Sequence, residues 1–269
     1  MKKTNWEKLC RIISPVFLIL VWYLLSAVIN ATLILPYPHA VIFRLFELVR
    51  TDIFWKAFAF SFLRVIISFL ISMLAGFFLG LCAADSKAFA AFIDFPLELV
   101  RAVPVIALIL PALFWFTSGI VPVFVAALVC LPIVTSASQK GFETNPENLE
   151  KLFKAKSRGL TGFKALRYIR LPAARPALAS GAQSAFGLAW KVVAAGEVLS
   201  IPRHGTGSLM QQAQVHLETV DVLAVTLALI IISYICQKIM SHGFGISLVI
   251  PNPCDNKKSV VYFIKRRYN

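Results

Sequence analysis

Arg101, Lys191 and Glu197 stand within or beside long apolar runs, as does Arg64, and their chemistry needs explaining first. An unpaired charge at the depth of a bilayer costs several kcal/mol, so such a residue faces a partner, a water-filled cavity or the interface. Lys191 follows Trp190, and Glu197 comes six positions later in the same apolar stretch. At about 100° per residue the two lie roughly 120° apart on a helix, too far round to pair directly. Each must look to another helix, a second subunit or solvent. A cation facing a water-filled cavity is one reading of Lys191; a structural lysine bonded to backbone carbonyls is the alternative. Arg64 also reads as a residue snorkelling to the interface. Arg101 opens the run Arg101-Ala102-Val103-Pro104, where the proline frees a carbonyl and kinks a helix. Such a kink serves a helix that moves, and plain membrane helices tolerate proline too.

No catalytic constellation accompanies these charges. The chain has no G-x4-G-K-[ST] phosphate loop, and Gly205-Thr206-Gly207 lacks the lysine and hydroxyl that such a loop needs. His204 and His216 lack metal-site company. The cysteines, Cys10, Cys82, Cys130, Cys236 and Cys254, occur singly without metal or redox spacing. The expectation is a protein that is not an enzyme, with no cofactor and no metal.

Composition names the solvent. Of 269 residues, 58% are hydrophobic and 15% charged. No soluble domain is so apolar, and the chain reads as an all-α polytopic membrane protein. Its net charge of +14 accumulates in loops on one side, where lysine and arginine mark the cytoplasm and meet anionic lipid headgroups. No nucleic-acid motif or basic face with interleaved aromatics is present, so nucleic acid is not an expected partner.

The elements that position the charges are set by the apolar runs. Six spans are expected, at about 12–29, 58–83, 97–116, 121–135, 177–199 and 222–239. Both termini, the Asp85 turn and the segment 139–176 then fall on the cytoplasmic side, where most of the basic residues are. The corresponding division is a cytoplasmic N-terminus over 1–11, a membrane domain over 12–240 and a basic cytoplasmic tail over 241–269. Segments 30–55, 117–119 and 201–219 fall outside. The second span carries Gly76-x-x-x-Gly80, a spacing that lets helices approach closely.

The polar segment 139–176 has the grammar of two short helices around a glycine turn. Asn145 and Pro146 form a helix start, Gly159 a left-handed stop, and Leu171-Pro172 the end of the second helix. A basic loop that merely sets topology would not need this spacing.

Gly159, nine residues of spacer and then Ile169-Arg170-Leu171-Pro172 resemble the G-x9-I-x-L-P half of the "EAA" loop of membrane-spanning subunits of ABC importers. The first half departs from the pattern: Phe153, Lys154 and Ala155 stand where Glu-Ala-Ala would fall, with Glu150 one turn earlier as a substitute acid. Leu35-Pro36-Tyr37-Pro38, Ser61 with Arg64, the arginine and proline of Arg101 to Pro104, and Glu197 after the G-x-A-W of Gly187 to Trp190 resemble the nitrate, sulfonate and taurine branch of that family.

The resemblance implies a six-helix permease of MetI-like fold that pairs, usually with itself, around a path. It implies docking of the loop on a cytoplasmic ABC ATPase subunit and delivery of a small solute by an extracytoplasmic binding protein. The docking residues it implies are Glu150, Phe153, Lys154, Ala155, Gly159, Ile169, Leu171 and Pro172; path candidates are Arg101, Pro104, Trp190, Lys191 and Glu197. The rival reading is a self-sufficient secondary transporter or channel using Arg101, Lys191 and Glu197 for ion coupling.

Overall fold

In a computed structural model of the chain, residues 5–143, 166 and 170–248 are described, with side chains over 13–143, 166 and 170–240. Among the described residues the elements are helices: α1 Asn5–Ile29, α2 Pro38–Val49, α3 Asp52–Asp85, α4 Lys87–Ala102, α5 Val105–Trp115, α6 Val121–Glu143, α7 Leu171–Ser200, α8 Thr206–Val215 and α9 Thr219–Leu248.

Local chemistry explains most boundaries. Pro38 begins α2 where its missing N–H costs nothing, after Tyr37 in extended conformation. The Ser86 hydroxyl caps α4 by accepting from the Phe89 N–H at 3.3 Å. The expected third span differs from a kinked helix: Val103 is extended, and α4 and α5 meet at a bend of 100°. Pro104 accounts for the break, because its ring pushes the preceding residue out of the helical region. A second difference lies at Leu171-Pro172, expected to end a helix. They begin α7 instead, which makes that helix 30 residues long; the first turn tolerates proline.

Three helices among the described residues are long and apolar enough to cross a membrane: α3, α6 and the Thr219–Met240 part of α9. The bent pair α4 and α5 makes a fourth if taken as one span, and Ile13–Ile29 of α1 is a shorter apolar helix. This set is consistent with six spans, since α7 is long but diluted by small and charged residues.

The chain divides into two compact units. The first holds residues 1–64, 109–122 and 193–232. In it the segments expected outside the membrane come together. Trp22 Nε1 donates to the Pro36 carbonyl at 3.2 Å, and Ser26 Oγ to that of Leu35 at 2.9 Å, fastening α1 to the chain entering α2. Arg44 of α2 grips Asp221 of α9 through both carboxylate oxygens, at 2.6 and 2.8 Å.

The second unit holds residues 65–108, 123–192 and 233–269. Here α3 lies close against α6. A Cβ on Gly76 would fall 2.7 Å from Val134 Cβ, and one on Gly80 would fall 2.6 Å from the Thr135 carbonyl oxygen. The Gly-x-x-x-Gly spacing therefore does what its small residues permit, and the Ser72 hydroxyl donates across the contact to the Ala127 carbonyl at 2.8 Å. Ile93 and Leu97 of α4 pack with Ala83 and Leu79 of α3 and Leu131 of α6.

Candidate functional site

The polar centre of the first unit is Glu197, near the C-terminus of α7, whose side chain has no solvent exposure. Its partner is Arg64 of α3, with Nη1 at 2.6 Å from Oε1. Ser61, one turn before Arg64, donates to Oε2 at 2.7 Å. The backbone N–H of Gly207 donates to the same oxygen at 3.0 Å. Arg64 is itself satisfied, donating from Nη1 to the His204 carbonyl at 2.7 Å and from Nε to that of Gly119 at 3.2 Å. A buried charge pair is tolerable only when its remaining valences are met in this way.

The carboxylate also supplies what α8 lacks. Gly205 stands at the N-cap without a side chain, so the first N–H groups of the helix need partners from elsewhere. The Thr206 N–H goes to Ser61 Oγ at 2.9 Å, and the Gly207 N–H to Glu197. A negative charge at the positive end of a helix is favourable as well. Glu197 is thus an N-cap in trans, and it requires close approach: a Cβ on Gly207 would fall 2.5 Å from the Ala194 carbonyl oxygen and 2.6 Å from Glu197 Cβ. That steric demand explains Gly205-Thr206-Gly207, which sequence alone could only exclude as a nucleotide loop. Ile201 comes after α7 at φ 44°, a left-handed value costly for a β-branched residue, and its N–H bonds the Glu197 carbonyl at 3.0 Å.

Lys191 is exposed and takes part in none of the ion pairs formed among the described residues. Its neighbour Trp190 is buried. Glu197 finds its partner on another helix, one of the alternatives that its roughly 120° separation from Lys191 left open.

Arg101, exposed at the end of α4, donates from Nη2 to the Pro132 carbonyl at 3.0 Å and to Ser136 Oγ, both on α6. Pro104 is exposed at the bend. Of the loop candidates, Leu171 and Pro172 are half-buried in the first turn of α7. Glu150, Phe153, Lys154, Ala155, Gly159 and Ile169 lie outside the described residues. The residues sequence reasoning gave no role are Thr206 and Gly207; Ser61 was noted only beside Arg64. Their signals are the Ser-x-x-Arg spacing, one helical turn, and a Gly-x-Gly that no nucleotide explains.

Residues 72–241 match the family described as "Binding-protein-dependent transport system inner membrane component". Among curated relatives, the putative aliphatic sulfonates transport permease protein SsuC of Escherichia coli (strain K12) is 32% identical, over 80% of this chain and 81% of its own. The taurine transport system permease protein TauC of the same organism is 25% identical, over 82% of each chain. The putative ABC transporter permease protein MJ0413 of Methanocaldococcus jannaschii is 28% identical, over 79% of this chain and 81% of its own. Among solved structures, an inward-facing form of the MetNI methionine ABC transporter superposes with a TM-score of 0.55 at 19% identity, covering 71% of this chain and 92% of that one.

Proposed function

Given that the chain belongs to the family of binding-protein-dependent transport system inner membrane components, we propose that it forms the path of an ATP-driven importer for a small solute. Sulfonates, taurine, nitrate or a related small organic molecule form the expected class. The observation that carries this reading is the likeness to sulfonate and taurine permeases, sustained over four fifths of the chain. ATP is hydrolysed by a separate subunit that docks on the loop 139–176 through Glu150, Phe153, Lys154, Ala155, Gly159, Ile169, Leu171 and Pro172. A binding protein delivers the solute from outside, and a second permease subunit, a copy of this one, completes the pore.

Along the path, Lys191 and Arg101 supply positive charge, with Trp190 packed behind and Pro104 at the bend. Glu197 is the further path residue. Both termini face the cytoplasm.

The test is to tag the protein, purify it gently from its native membrane and identify what accompanies it, repeating with Gly159→Asp. An ATPase subunit and a binding protein are expected with the wild type, and the ATPase is expected to be lost from the variant. A lone protein in both preparations would replace this reading with an ion-coupled secondary transporter.

A further inference from the structure

A charge pair stands where the segment 139–176 meets α7. Asp85 is the last residue of α3, and Arg170 immediately precedes the first residue of α7. The two side chains meet, Arg170 Nη2 donating to Asp85 Oδ1 at 2.6 Å. The Arg170 guanidinium also stands 5.5 Å from the centre of the Phe142 ring, near the end of α6, and that ring meets Phe77 of α3 edge-on at 5.4 Å. Three helices are tied together at the point where the loop rejoins the membrane domain.

The connection from Asp85 into α4 gives the tie a direction. A single residue, Ser86, separates α3 from α4, and its hydroxyl caps α4. At the other end of α4, Arg101 is fastened to Pro132 and Ser136 of α6. The 100° bend into α5 begins two residues later. Helix α4 is a strut held at both ends, with Asp85 at its root and the bend at its tip.

We infer that Arg170 and Asp85 are positioning residues that hand movement of the docking loop to α4 and through it to the bend at Pro104. The inference rests on docking of the loop 139–176 on an ATPase. Because the Asp85 side chain is 56% exposed, the pair adds little to stability, and its charges can be exchanged without unfolding the helices.

The experiment uses the complex purified with its ATPase from native membrane. Backbone hydrogen exchange of residues 87–102 is compared with and without a non-hydrolysable ATP analogue, for the wild type, Asp85→Arg, Arg170→Asp and the double reversal. Nucleotide is expected to change exchange in the wild type, and each single variant to shrink that response by a factor between about 2 and about 30. ATPase binding and hydrolysis should persist in the single variants, and the double reversal should restore the response. Single variants that keep the full response, or a double reversal that restores nothing, would overturn the clasp alone. An ATPase missing from the wild-type preparation would instead sink the docking reading and the clasp with it.

Discussion

Arg64 Nη1 lies 2.6 Å from Glu197 Oε1, across 133 residues of sequence, and neither oxygen of that carboxylate reaches solvent. The pair joins α3 to the end of α7, and through the N–H of Gly207 it holds the start of α8. Removing one partner leaves a buried charge without compensation, at a cost of about 3–5 kcal/mol. Arg64→Met and Glu197→Gln should each lower the thermal unfolding midpoint in detergent. Arg64→Met combined with Glu197→Leu should recover part of the loss. Single variants as stable as the wild type would show that the pair does not hold this end of the fold.

Gly207 has no room for a side chain, and overpacking of this kind costs about 1–3 kcal/mol. Gly207→Ala should therefore destabilise. Gly119→Ala is the control, because a Cβ there meets nothing nearer than Arg64 Nη2 at 4.0 Å. Equal midpoints for the two variants would contradict the packing described for α8.

The pair of Arg44 with Asp221, also in the first unit, has a different weight. Arg44 is 40% exposed at its side chain, and its grip on Asp221 should contribute no more than about 1 kcal/mol, fading with salt. Hydrogen bonding to Asp221, and next to Glu47, holds the Arg44 pKa above its ordinary value. The stability this raised value confers is present below the ordinary guanidinium pKa and lost only above it, so no working pH removes it. Unfolding of Arg44→Gln, measured at low and high salt, should approach the wild type as salt rises. A deficit unchanged by salt would mean that the side chain acts through packing.

Lys191 touches no carboxylate among the described residues and is exposed. Lys191→Gln should leave the unfolding midpoint unchanged while uptake of a small sulfonate by the assembled transporter falls on the order of tenfold, the effect of losing one interaction of about 1.4 kcal/mol. Unaltered uptake would remove this lysine from the path.

Class, membrane character and family were legible in the residues themselves, because apolar run length and the Gly159 to Pro172 spacing are local properties of the chain. The Gly76 and Gly80 contact was legible for the same reason: small residues one turn apart leave one flat helix face. Helical geometry also showed that Lys191 and Glu197 could not pair. It could not say that Glu197 would take Arg64, since a partner 133 residues away is selected by how two helices cross. The proline at 104 marked a disturbance of the helix, but whether it would kink or break by 100° was not legible in the local sequence. Local sequence determined the long apolar helical runs and which residues are too costly to leave alone in lipid, but not α8 or the start of α7 at Leu171. Tertiary structure decided what each of them meets, because a buried charge has many chemically adequate partners and only packing puts one within 3 Å.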